Sequence, residues 1–161
     1  VKPKVYIETS IISYLASRPS RDIIAAGHQQ LTHDWWLAER GGFAACTSAL
    51  VLREASAGDA TAALARLQWL QDIPLVAVTP EAEKLSERLI QQAALPEKAA
   101  ADALHIAIAA YHRLDFLLTW NCKHIANAIK RPLIEHVCRE YGFEPPVLCT
   151  PEELIGVSHV E

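Results

Sequence analysis

The feature that most constrains this chain is its alternation of short apolar, β-branched segments with longer helical stretches. Strands are expected at residues 4–7, 43–46, 75–78, 116–119 and 147–149, each a short run of buried type bounded by turn or cap residues. Between them lie stretches of helical composition. These cover 11–15, then 22–40 stopping at Gly41-Gly42, the segment carrying Leu50, Val51 and Glu54, and 60–71. Further helices are expected over 81–94, 98–113, 122–128 and 132–141, with a last turn at 151–154. Thr9 or Ser10 is expected to cap the first helix, and Thr47 or Ser48 the one after the second strand. Strands that alternate with helices along a whole chain imply an α/β fold with a mostly parallel sheet covered on both faces. No repeat, low-complexity segment or linker divides the 161 residues, so one domain over 1–161 is expected.

Composition narrows the classes. Hydrophobic residues make up 51% and charged residues 21%, which excludes a disordered chain. No apolar run approaches the roughly 20 residues that cross a bilayer. Val1 to Tyr6 carries basic residues with no long apolar stretch behind them, so no signal peptide is expected there. Cys46, Cys122, Cys138 and Cys149 are scattered without zinc-like spacing, and are expected as reduced thiols in a cytoplasmic protein. The net charge of −4 weighs against a nucleic-acid packaging protein, but not against an enzyme whose metal site needs clustered carboxylates.

In a parallel sheet, functional groups gather beyond the carboxyl ends of the strands. Glu8 stands there, directly after the first strand, where it either binds a cation or interacts with a helix N-terminus. Asp102 lies among small and apolar residues in Ala101-Asp102-Ala103-Leu104-His105-Ile106-Ala107, so it needs a partner or a metal unless it caps the helix. His105 follows one turn later on the same face and reads as a positioning or core histidine. Glu54 reads on its own as a solvated helix position. Thr119 and Asn121 end the fourth strand, as site residues or as a turn. Three separated acids suit Mg²⁺ or Mn²⁺, which prefer oxygen ligands and activate water against a phosphate. No GxGxxG or GxxxxGK[ST] follows any strand, which disfavours a nucleotide-binding domain.

These segments resemble the PIN-domain family. Tyr6-Ile7-Glu8-Thr9-Ser10-Ile11-Ile12 is similar to its opening strand, Leu52-Arg53-Glu54 to its second acid, and Ala101-Asp102-Ala103-Leu104-His105 to its third. Leu117-Leu118-Thr119-Trp120-Asn121 resembles its fourth motif, and the likeness runs over roughly residues 4–150. The bacterial members most similar are VapC-type toxins of toxin–antitoxin pairs. The resemblance implies a PIN-like three-layer α/β/α sandwich with a mostly parallel central sheet, and a Mg²⁺- or Mn²⁺-dependent ribonuclease. It implies Glu8, Glu54, Asp102 and Asn121 as catalytic residues, the three acids being the metal ligands. A homodimer and a small antitoxin protein are implied as partners beside RNA. Thr9, Ser10, His105, Thr119, Trp120 and Lys123 are expected to contact RNA or to position the acids. Trp120 is a candidate for base stacking, and Lys123 with His124 for phosphate contacts. The chain departs from the pattern where Glu8 replaces the usual Asp and where Asn121 is neutral, which lowers the negative charge of the site. A PIN-like module acting without catalysis, through RNA or a protein partner, is the alternative expectation.

Trp35 and Trp36 are adjacent, as are Trp69 and Leu70. Each pair is expected to place one side chain in the core and one partly outside it.

Overall fold

The computed structural model describes residues 1–156; the last residues of the expected domain, 157–161, lie outside them. Five parallel strands form one sheet: β1 (Lys4–Ile7), β2 (Ala44–Ser48), β3 (Leu75–Val76), β4 (Phe116–Leu118) and β5 (Val147–Cys149). Their order is β3-β2-β1-β4-β5. The central strand β1 is buried on both faces, and Val5, Tyr6 and Ile7 have no exposed surface.

Helices α1 (Thr9–Ala16), α2 (Ile23–Asp34), α3 (Ala49–Ala55) and α4 (Ala60–Leu70) pack against one another. So do α5 (Pro80–Gln91), α6 (Ala100–Tyr111) and α7 (Arg131–Glu140). The first group carries the connections from β1 to β2 and β3. The second carries the return across the sheet to β4 and on to β5. With right-handed crossovers the two groups cover opposite faces, giving a three-layer α/β/α sandwich. Chain direction across the sheet reverses between β1 and β4, and beyond their carboxyl ends lies the crevice that such a sheet uses for ligands.

Local chemistry sets most helix starts. Asp22, Asp59 and Thr79 each accept a hydrogen bond from the backbone N–H three residues on. Asp22 thus precedes its helix instead of opening it. The helix expected over 22–40 is also not continuous. It becomes a π-helical turn at Trp35–Glu39 and a 3₁₀ turn at Arg40–Gly42. That wider turn brings both tryptophans inward, against the expectation that one would face out. Trp35 is fully buried and Trp36 is 9% exposed. Trp36 lies edge-on to Trp69 and beneath the Arg40 guanidinium, 4.4 Å from its ring centre.

The expected helix over 122–128 is a run of turns. Asn121 and Asn127 divert the backbone there: Asn121 Oδ1 accepts from His124 N, and Asn127 Oδ1 accepts from Ile129 N and Lys130 N. One cap assignment changes: the side chain capping α1 is Glu8, not Thr9 or Ser10. Ser48 does hold the cap position of α3, but as the last residue of β2 it makes no side-chain cap bond; the Thr47 and Ser48 hydroxyls go to Ile7 O (3.0 Å) and Tyr6 Oη (2.7 Å). No described helix is long and apolar enough to cross a membrane. The cysteines are free, with Cys46, Cys138 and Cys149 buried and Cys122 exposed.

Candidate functional site

Glu8 occupies the crevice between β1 and β4. Its backbone N–H donates to Leu118 O, extending the ladder one residue past β1. Its side chain turns across the gap and is 6% exposed. Oε1 accepts from Thr119 Oγ1 (2.6 Å) and Ser10 Oγ (2.7 Å), and Oε2 accepts from Ser10 N (2.8 Å). The last of these is an N-terminal cap on α1, so the helix-start role foreseen for this acid is present. Ser10 Oγ also accepts from Trp120 N at 2.8 Å, which ties the turn after β4 to the start of α1.

Glu54 stands next to this group. Its Oε1 accepts from Thr9 Oγ1 (2.7 Å) and lies 2.5 Å from His105 Nε2. Its side chain is 32% exposed, so it is not the solvated position that its helix pattern suggests. His105 is 1% exposed and uses both ring nitrogens, Nδ1 meeting Tyr6 Oη at 2.8 Å.

Burial pushes the Glu54 carboxyl pKa up. The hydrogen bond and charge of His105, with Thr9 and Arg53, outweigh burial and hold it below the ordinary 4.5. A depressed folded value means that the ionised carboxylate stabilises the fold above about pH 4.5, and that this contribution fades as pH falls through the folded value. Glu54→Gln should therefore be less stable than the parent at neutral pH, with the gap closing below about pH 4.5. Urea unfolding at pH 7 and near pH 3.5 measures it, and a gap unchanged between them refutes the assignment.

Asp102 sits in the first turn of α6, half-buried, one turn before His105. It does not cap the helix, and its carboxylate accepts no hydrogen bond among the described residues. Its electrostatic neighbour is His124. Desolvation lowers the His124 pKa, Asp102 opposes this, and Lys130, Lys123 and Lys98 add to the lowering. Asp102, Lys98, Lys123 and Lys130 therefore lie within electrostatic reach of His124. His124 Nδ1 is buried with no hydrogen-bond partner among the described residues.

The remaining candidates hold the loop after β4. Asn121 N donates to Thr119 Oγ1 (2.9 Å), while its Oδ1 serves the turn. Trp120 stacks on His28 with ring centres 4.0 Å apart and donates its indole N–H to Thr32 Oγ1 at 2.7 Å. One ring face and the polar edge are thus engaged within the protein. Lys123 is exposed.

Glu8, Thr9, Ser10, Glu54, His105 and Thr119 are joined through side-chain hydrogen bonds or chain adjacency; Asp102 adjoins them only through its helix. Among the described residues no group of three or more His, Cys, Asp or Glu side chains is gathered so as to hold a metal. Sequence reasoning missed Tyr6 and Ser48. The available signal was a tyrosine in a fully buried strand, whose hydroxyl requires a polar partner. No protein-family model, no curated protein and no solved structure matches this chain.

Proposed function

We propose that the chain is a PIN-like ribonuclease dependent on Mg²⁺ or Mn²⁺, the toxin of a toxin–antitoxin pair. The observation that carries this reading is the position of Glu8, held by Thr119 and Ser10 in the crevice between β1 and β4, with Glu54 fixed beside it through Thr9. The donors suit a hard cation, being carboxylate oxygens. Glu54 Oε2 and both Asp102 oxygens accept no hydrogen bond among the described residues. Glu8, Glu54 and Asp102 would hold the ion, which when bound supplies an activated water and offsets charge on the scissile phosphate. Ser10 and Thr119 orient Glu8; Thr9 and His105 orient Glu54. Lys98, Lys123 and Lys130 attract the phosphodiester backbone, and His124, its pKa lowered by burial, would contact it as a neutral imidazole. A homodimer and a small antitoxin protein belong to the same reading.

The test is cleavage of single-stranded RNA with Mg²⁺ or Mn²⁺, alongside calorimetric titration of the protein with Mn²⁺. No cleavage and no Mn²⁺ binding would overturn it. A second reading, a PIN-like module that binds RNA or a protein without catalysis, is favoured by the lack of a gathered three-ligand group among the described residues. RNA binding without cleavage selects this second reading.

The lysines around His124 make their own prediction. Removing one phosphate contact from a single strand lowers the slope of log K against log salt by about 0.7. Lys123→Ala and Lys130→Ala should each weaken RNA binding by roughly that slope change, measured by fluorescence anisotropy across a salt series. An unchanged slope in both places the RNA elsewhere.

A further inference from the structure

A buried run of hydrogen bonds ends on Glu54, and the way its protons must be ordered has a consequence for that carboxylate. The run is Ser48 Oγ to Tyr6 Oη (2.7 Å), Tyr6 Oη to His105 Nδ1 (2.8 Å), and His105 Nε2 to Glu54 Oε1 (2.5 Å). Ser48 and Tyr6 have no exposed surface and His105 has almost none. Distances alone do not say which atom donates at each step.

Satisfying every buried hydrogen does. The Glu54 carboxylate accepts only, so His105 Nε2, 2.5 Å from its Oε1, carries a proton. Tyr6 is a neutral phenol, its ionisation pushed far up by burial. If Nδ1 also carried a proton, it would donate to Tyr6, and Tyr6 would then donate to Ser48. The Ser48 hydrogen would be left buried with no acceptor among the described residues, which costs about 1–3 kcal/mol. If Nδ1 is bare, Ser48 donates to Tyr6, Tyr6 donates to Nδ1, and Nε2 donates to Glu54. Every hydrogen then has an acceptor.

We infer that Ser48, Tyr6 and His105 form a one-way donor chain that fixes Glu54 through Oε1 and leaves Oε2 as the atom Glu54 presents to the crevice. Thr9 Oγ1 donates to the same Oε1, which reinforces the division of labour between the two oxygens. Tyr6 and His105 are then positioning residues. Groups that orient a ligating carboxylate or imidazole from behind shape how well it binds. What Oε2 receives rests on the ribonuclease reading; the order of the protons does not.

The test is long-range ¹H–¹⁵N correlation spectroscopy of the histidine rings at neutral pH, with His105 assigned from the resonance lost in His105→Gln. The expected parent spectrum has His105 as the Nε2–H tautomer with Nδ1 bare and hydrogen-bonded. In Tyr6→Phe the Nδ1 resonance should shift, because its donor is gone, while Nε2 keeps the proton that Glu54 accepts. In Ser48→Ala the tautomer should persist, because the link from Tyr6 to Nδ1 remains. Mn²⁺ binding, followed by calorimetry, should weaken about tenfold or more in Tyr6→Phe. A parent His105 protonated at Nδ1 overturns the chain without recourse to any variant, as does an unaltered Nδ1 resonance in Tyr6→Phe. A parent that neither binds Mn²⁺ nor cleaves RNA removes the ribonuclease reading, while the tautomer still decides the donor chain.

Discussion

On the ribonuclease reading proposed above, Asp102→Asn is expected to lower kcat for RNA cleavage by on the order of 10²–10³, the usual effect of removing one group that stabilises transition-state charge. Its stability should change by less than about 1 kcal/mol, the worth of a carboxylate in the first turn of a helix. The two halves of this prediction have one origin. Asp102 is half-buried, accepts no hydrogen bond among the described residues and leaves the cap position to Ala99. The fold therefore has little need of its charge, and Asn keeps its shape. Single-turnover cleavage together with urea unfolding measures both. Full activity in the folded variant would remove Asp102 from the mechanism. The same change at Glu8 would be less informative, because both of its oxygens accept from donors and the new NH2 would face one of them.

Trp35→Ala is expected to cost about 3–5 kcal/mol of stability, as for other large aromatic truncations in a core. Trp35 is fully buried, packs against Trp36 and Phe43, and donates its indole N–H to Leu154 O at 3.1 Å. That bond fastens the 3₁₀ turn Pro151–Leu154 to the π-helical turn at the end of α2. Trp35→Phe should recover most of the loss. It restores the aromatic packing but leaves the Leu154 carbonyl without this donor, a deficit of about 1–3 kcal/mol. Denaturant titration of both variants separates packing from the hydrogen bond. A loss below about 1 kcal/mol in Trp35→Ala would mean that the π-helical turn does not anchor the core as described.

The sheet was legible because its strands are short apolar runs between turn residues. β1 and β5 fall where the pattern puts them. What escaped the pattern was set by side chains that compete with the backbone or by geometry beyond one element. Asn121 and Asn127 turn a helix-like composition into turns. The tryptophan pair could not be oriented without the π-helical turn, because adjacent residues on a regular helix diverge. At the candidate site, the positions of Glu8 and Thr119 followed from the rule that groups collect at strand ends. Glu54 did not, since its partners Thr9 and His105 come from other elements and its own helix gives no sign of them. The Tyr6 link was hidden for the same reason: it joins a strand to a helix 99 residues away.

The hydrogen bond from Thr119 to Glu8 joins residues 111 apart, across strands that become neighbours only when β4 inserts beside β1. Closing so large a loop is slow compared with forming helices or hairpins. During synthesis, the amino-terminal half of this crevice must therefore wait, incomplete, while β2, β3 and the helices between them are made. A ribosome-bound chain ending before β4 lacks the strand, and the Thr119 hydroxyl, that close the crevice around Glu8. The order of strands in the sheet thus acts as a timer, holding back assembly of the pocket until the segment from β4 to Thr119 has been made.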